Sequence, residues 1–245
     1  MAPGVVETLA GVLESGGADL RAWGLAWARV APSVLLIPAF GLRALPAPAR
    51  IALGLSLAVG IAPALTPIAE QARPWLAAFV VELGRGLPVA LTASIALWVA
   101  NMAGGVVDDL RGAREPAAMP NLEAGSSPIG ALLAMLVAIA FLESGGAARV
   151  ASVLAEPELA FSDPLARAAA NLAGGIELAV AVAAPVVAAS IVFAVASSLI
   201  ARAANPAYIE PLLAPLRSLA LLAVTALVLD RMLELLVLSA RVAPR

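Results

Sequence analysis

The chain has 245 residues, is 62% hydrophobic, and carries a formal net charge of −2, with a mean hydropathy of +0.98. A soluble domain is about 45–50% apolar, so this excess indicates a membrane protein or a subunit buried in a large assembly. The small charge gives no electrostatic basis for binding nucleic acid. With no Cys and no His, disulfides, Ser-His-Asp triads and the usual zinc sites are excluded, and a carboxylate-based site stays open.

The N-terminal stretch predicts a short amphipathic helix over residues 4–15. Apolar residues recur there at helical spacing, and Gly16 and Gly17 end the pattern. The first charged residues are acidic, which is not the pattern of a secretory signal. The helix is expected to lie on a membrane surface or to pack against protein.

Six apolar blocks follow and predict one all-α domain over residues 1–245, a membrane-protein-like bundle of kinked helices and helical hairpins. The blocks are 22–42, 51–69, 74–107, 129–142, 165–201 and 211–242. Pro32, Pro88 and Pro185 lie inside blocks, where proline removes a hydrogen bond and is expected to bend or break the helix. Ser127 followed by Pro128 predicts a capped helix start.

Membrane orientation does not follow from the charges. The arginines of alternate loops divide equally between the two sides, whereas the positive-inside rule normally gives a bias. Several blocks are also too long or too short for one span. We therefore expect apolar faces that contact protein as much as lipid.

The main polar interruption is a loop predicted over residues 108–127. Gly104, Gly105 and Gly112 are interpreted as hinges, and Asp108 and Asp109 as the place where the preceding helix ends. From the residues alone, both a plain solvent loop and a functional gate stay open. The candidate gate residues are Met102, Gly104, Gly105, Asp108, Asp109, Arg111, Gly112, Arg114, Glu115, Met119, Pro120 and Asn121.

Two further groups of polar residues are candidates for contacts. Glu82 with Arg85, and Arg231 with Glu234, stand three residues apart, where an ion pair forms on one helix face. Each pair is either a structural buried pair or a contact for a partner or a proton. A connector between blocks is either a docking turn for a neighbouring subunit or a plain helix connection; its candidate residues are Asn205, Pro206, Tyr208, Glu210 and Arg217.

Several segments, in their order and spacing, resemble the type III secretion export-apparatus T component, the SctT/YscT/SpaR/FliR family. They are Arg29–Gly41, Ala103–Gly112 (AGGVVDDLRG), Ser127–Gly130, Phe141–Gly146 and Arg202–Ser218. The resemblance covers most of the chain, from about Arg29 to Ser218.

The resemblance implies a structural and gating subunit without catalysis or cofactor. One copy would join a helical ring with the R, S and U components (FliP-, FliQ- and FlhB-like proteins) in the bacterial inner membrane, as a multi-pass part of the secretion-system basal body. The ring would form the entry gate for unfolded secreted proteins. The loop after the Gly-Gly-x-x-Asp stretch would project into the pore as a plug.

Two other functions are considered. The first is an autonomous transporter of small solutes or ions, with Glu82, Arg85, Glu177 and Asp230 in broken helices as its pathway. The second, an intramembrane enzyme, ranks last because Asp108 and Asp109 are adjacent and point to different faces of a helix. Function of the purified chain without partners would favour the transporter.

Overall fold

The computed structural model describes residues 19–37, 47–69, 74–112, 127–156, 164–203 and 210–242, which form seven α-helices and contain no strand. They are α1 (Leu20–Leu36), α2 (Ala47–Ala69), α3 (Trp75–Arg111), α4 (Pro128–Glu143), α5 (Gly146–Ala155), α6 (Pro164–Ala203) and α7 (Glu210–Val242). The predicted all-α membrane-type fold is confirmed. The helix predicted over residues 4–15 lies outside the described residues.

The described helices divide into two compact units. The first contains α1, α2, α5, the part of α3 up to Ser94 and the part of α6 up to Ala169. The second contains α4, α7, the rest of α3 and α6 from Ala170 onward. Both α3 and α6 therefore contribute to each unit, while the other helices belong to one.

In the first unit, α1 packs along α2, and α2 packs against α5. The α1 helix begins at Leu20 because the Asp19 carboxylate accepts the amide hydrogens of Arg21 and Ala22, at 3.0 Å each. Its apolar face buries Leu25 against the Ala78 region of α3. At the other end, the Ser94 hydroxyl of α3 donates to the Leu36 carbonyl at 2.9 Å, satisfying one of the carbonyls that a helix end leaves free.

In the second unit, α4 packs against α7. The buried stripe of α4 contains Leu133, Val137 and Phe141, spaced at about one turn, and α7 buries Leu221 and Leu236. Burying each such side chain contributes roughly 1.5–3 kcal/mol. These stripes fix the face of α4 that points inward and leave its other face uncovered.

Of the two outcomes expected at the prolines, a bend or a break, the break does not occur in the described helices. Pro88 lies inside the 37-residue α3 and Pro185 inside the 40-residue α6. Pro32 likewise lies inside α1. A single proline removes only one backbone hydrogen bond, and apolar helices tolerate the loss where neighbours pack around it.

One helix was not predicted. The stretch Gly146–Ala155 forms α5, with Val150 and Leu154 buried. It is separated from α4 by Ser144 and Gly145, and Gly145 has φ 72°. Glycine suits this left-handed conformation because it has no Cβ. The short turn separates α4 from α5.

Three helices are long and apolar enough to cross a membrane among the described residues. The segments are Pro48–Leu65, Trp75–Arg111 and Ala169–Ala203, and α4 with α5 adds a fourth if the bent pair is one span. A bilayer core of about 30 Å needs about 20 apolar residues in a helix. The apolar spans support a membrane-integrated protein.

Candidate functional site

The predicted gate loop starts later than expected. Helix α3 continues past Asp108 and Asp109 and ends at Arg111, so these aspartates do not mark its end. Gly104 and Gly105 lie inside the helix and not at its end. Gly112 is the turn residue, with φ 75°, and its amide donates to the Asp109 carbonyl at 3.1 Å. A left-handed glycine just after the last helical residue is a common helix ending.

The Asp108 carboxylate joins the two helices that border this loop. It is buried, with 1% of the residue exposed. One oxygen accepts from Nε of Arg111 at 2.5 Å, and the other accepts the amide hydrogen of Ile129 at 2.8 Å. Arg111 is in the last turn of α3 and Ile129 in the first turn of α4. We call Asp108, Arg111, Ser127 and Ile129 the loop base.

Ser127 completes the start of α4 as predicted. Its hydroxyl oxygen accepts the amide hydrogen of Gly130 at 3.1 Å, and Pro128 takes the first helical position. Proline suits that position because its missing N–H would have no helical partner there. The charge of Asp108 near this helix start is also favourable, since the N-terminal end of a helix is positive.

The loop base rests on a close crossing of two helix backbones. A Cβ on Gly104 would overlap the backbone of Gly130, and a Cβ on Gly130 would lie 2.5 Å from the Ser127 hydroxyl and 2.6 Å from the Asn101 amide oxygen. Real Cβ atoms do not approach other atoms so closely. The two glycines therefore let α3 and α4 meet at a distance that any side chain would prevent.

Met102 lies on a groove beside the crossing and not in the core. The groove has a volume of about 320 Å³ and is lined on the α3 side by Trp98, Asn101 and Met102, and on the α6 side by Leu172 and Ile176. Met102 is 42% exposed. Its flexible thioether side chain suits irregular contacts.

A buried ion-pair cluster lies in the first unit. Glu82 forms the predicted pair with Arg85, at 2.8 Å, but its other oxygen faces Arg29, with Nε at 2.6 Å and Nη2 at 2.5 Å. The Arg29 and Glu82 side chains are 0% and 1% exposed, whereas that of Arg85 is 34% exposed. We call these three residues the ion-pair cluster; in it Arg29 is the central cation that the sequence pattern did not reveal.

Arg29 also closes the end of α5. Its Nη1 donates to the carbonyls of Leu154 and Glu156, at 3.1 and 2.6 Å. These carbonyls are left free where the helix ends, and a cation there is favourable. Arg29 lies on α1, which is not among the candidate membrane spans. Burial lowers the pKa of the Arg29 guanidinium, and the Glu82 carboxylate opposes this shift. Arginine nevertheless stays protonated at neutral pH.

The remaining predicted residues are not brought together by the described structure. Arg231 and Glu234 are both exposed on α7, and no ion pair joins them; the second predicted pair is therefore absent. Glu210 begins α7, and Arg217 is half-buried in it. Several candidates lie outside the described residues: Arg114, Glu115, Met119, Pro120, Asn121, Asn205, Pro206 and Tyr208.

The buried carboxylates of Glu82 and Asp108 each accept hydrogen bonds from groups of the same chain with both oxygens. No cluster of three or more metal-ligating side chains exists within the described residues. Both sites are therefore arrangements that hold helices together.

The family "Bacterial export proteins, family 1" matches residues 20–240. The chain belongs to this family. The match covers every described helix up to Ala240 and includes both borders of the loop. It confirms the resemblance to the type III export-apparatus T component and assigns the chain to bacterial protein export. No curated protein matches the chain.

The sequence predicted most of the described site residues of this export protein as candidates, but it did not predict which residues contact each other. Asp108 and Glu82 were both singled out. Their main partners were not, because Ile129 is 21 residues from Asp108 and Arg29 is 53 residues from Glu82. The one signal for Arg29 was a charge inside an apolar block, which normally faces protein or water and not lipid.

Proposed function

We propose that the chain is a structural and gating subunit of the type III protein-secretion export gate, where it helps to form the entry pore for unfolded substrate proteins. Its partners are the R, S and U components and the secreted proteins in transit, in the bacterial inner membrane. It has no catalysis of its own. The family match supports export as the process.

The observation that carries the gating role is the loop base. The carboxylate of Asp108 ties the first amide of α4 to the last turn of α3. The segment between the two helices therefore starts and ends at residues that are held together. A plug needs such fixed ends, because they must stay in place while the middle moves.

Deletion of residues 114–125 tests this proposal. We expect the apparatus to assemble, because the loop base remains, and to become permeable to small solutes. The measurement is solute leakage in cells together with co-purification of the R and S components. A Gly-Ser segment of equal length in place of 114–125 is the matched variant that keeps the connection length.

An apparatus that assembles with the deletion and neither leaks nor secretes differently would show that the loop is not a plug. An autonomous transporter gains no support from the described residues. Its expected pathway residue Glu82 has both carboxylate oxygens engaged by arginines of the same chain. Glu177 and Asp230 are exposed on separate helices.

A further inference from the structure

Helices α3 and α6 cross each other inside the second unit. A Cβ on Gly175 of α6 would lie 3.0 Å from Cγ2 of Ile95 and 3.5 Å from Cγ2 of Val99, both on α3. The groove beside this crossing is lined by residues of α3 between positions 95 and 102 and by residues of α6 between positions 172 and 176. At the crossing, the two helices therefore lie at the same depth in any bilayer that contains them.

Each of the two helices has one long stretch without a charged residue. In α3 this stretch is 86–107, and in α6 it is 178–201, which Glu177 and Arg202 bound. At 1.5 Å per residue the stretches are about 33 Å and about 36 Å long, so each of them alone matches a bilayer core of about 30 Å. Composition therefore does not decide which stretch crosses the membrane.

The position of the crossing makes the two spans incompatible. It lies at the middle of the α3 stretch, but it lies just outside the α6 stretch and about 22 Å along the helix axis from the middle of that stretch. Even a helix tilted by 40° leaves about 17 Å between these two levels, and half of the bilayer core is about 15 Å. A bilayer centred on one stretch therefore leaves the middle of the other stretch outside its hydrocarbon core.

The polar side chains near the crossing select the α6 stretch. Glu177 is exposed and lies two residues from Gly175, so a bilayer centred on the α3 stretch would put its carboxylate near the centre of the hydrocarbon. Charged residues at that depth face protein or water and not lipid. Trp98 and Asn101 line the groove at the same level, and tryptophan is enriched where hydrocarbon meets water. These groups fit a bilayer surface and not its centre.

The burial of the two helices agrees with this choice. From Ile191 to Ala201 no residue of α6 is buried, and the exposed positions lie on all sides of the helix. In the α3 candidate span 56% is buried within the protein, whereas in the α6 candidate span 28% is buried. A helix that is apolar and exposed on every side suits lipid. A helix that is mostly buried is already covered by protein.

We propose that α6 crosses the bilayer through residues 178–201 and that the α3–α6 crossing lies at one bilayer surface. The middle of the α3 stretch then lies at the level of the lipid headgroups. The uncharged stretches of α3 and α6 are therefore not both spans of one bilayer, although each helix is long and apolar enough to be one. This inference goes beyond the proposed function and does not depend on it.

Single cysteines test the depth directly, because the chain contains no cysteine of its own. Glu177→Cys and Val192→Cys place a thiol at two exposed positions of the same helix, and Val192 is 66% exposed. The full chain is reconstituted in vesicles of phosphatidylethanolamine and phosphatidylglycerol, with a membrane-impermeant maleimide on both sides. The labelling rate reports depth, because the reactive thiolate forms in water and not in hydrocarbon.

The thiol of Glu177→Cys should react at least about tenfold faster than that of Val192→Cys, because a charged thiolate is costly in hydrocarbon. Position 177 is about 19 Å from the middle of the α6 stretch and position 192 is about 4 Å from it, so only position 192 lies in the core. Leu172→Cys and Val195→Cys form a second pair that keeps Glu177 and should show the same order of rates. After unfolding in sodium dodecyl sulfate, all four variants should react equally fast.

A faster reaction of Val192→Cys than of Glu177→Cys would overturn the proposal and would identify the α3 stretch as the one in the core. Equally fast rates would place both positions in water, and equally slow rates would place both in hydrocarbon; either result would also overturn the proposal. The gating role would stand or fall separately, by the leakage of the loop deletion, because these vesicles contain no other subunit of the apparatus.

Discussion

The ion-pair cluster and the loop base use the same chemistry in different ways. Each centres on one buried carboxylate with both oxygens occupied. In the cluster, Glu82 contacts two guanidinium groups on regular helices. At the loop base, Asp108 contacts one guanidinium and one backbone amide at the start of another helix. The first arrangement neutralises charge inside a packed region, and the second fixes a chain end in place.

The difference shows what a buried carboxylate contributes. A buried ion pair stabilises little relative to apolar packing, yet removal of one partner is costly because the other charge is stranded. A carboxylate on a free helix amide satisfies a donor that has no other partner. The stability that the cluster provides should therefore depend on the balance of its charges. The stability that the loop base provides should depend on a hydrogen-bond acceptor at position 108.

The largest expected effect is at Arg29. Arg29→Met should destabilise the protein by about 3 kcal/mol, because it leaves the buried Glu82 with Arg85 as its one partner and frees the carbonyls at the end of α5. Replacement of both Arg29 and Glu82 by Met should recover part of this loss. The measurement is the free energy of unfolding in detergent. Arg231→Met, an exposed arginine, is the matched control and should stay within about 0.5 kcal/mol.

If Arg29→Met and the double variant lose the same stability, then the cost comes from the end of α5 and not from the Glu82 carboxylate that has lost one of its two arginines. In that case the ion-pair cluster, like the loop base, would stabilise the protein mainly by satisfying backbone groups at a helix end.

The next effect is at Asp108. Asp108→Ala should destabilise the protein by about 2–3 kcal/mol, because the Ile129 amide loses its acceptor in a buried place. Hydrogen exchange of a peptide covering residues 127–131 should rise. Asp109→Ala removes the same charge one residue further on, from an exposed side chain, and should change neither quantity.

A double variant separates the two contacts of Asp108. The variant Asp108→Arg with Arg111→Asp keeps opposite charges three residues apart but has no carboxylate at position 108. Hydrogen exchange of the amides at residues 127–131 should stay fast in this variant. Slow exchange in the double variant would show that the ion pair, and not the amide contact, holds the corner.

The smallest effect is at the glycines of the crossing. Gly104→Ala should destabilise by about 1–3 kcal/mol, because its Cβ meets the Gly130 backbone, which has little freedom to move. Gly105→Ala meets only the Ser127 hydroxyl at 3.9 Å and should stabilise by up to about 1 kcal/mol, as alanine favours helix. Thermal unfolding of the two variants, side by side, checks this difference. Equal unfolding temperatures for the two variants would mean that the helices separate easily at the crossing.

Local features were predictable from the sequence and distant contacts were not. The Ser127 cap and the Glu82–Arg85 pair depend on residues three apart, so spacing alone shows them. The Asp108–Ile129 and Arg29–Glu82 contacts depend on how helices pack, which no spacing rule gives. Pro32, Pro88 and Pro185 each lie inside a continuous helix, because packing outweighs one lost hydrogen bond.

The start of α4 has a consequence for how this protein can vary. Its first residue, Pro128, has no amide hydrogen, and the next donors, on Ile129, Gly130 and Ala131, are taken by Asp108 and by the side chain and carbonyl of Ser127. Helix α4 thus needs no acceptor from residues 113–126. We therefore expect the helix start to survive changes in the sequence and length of that stretch.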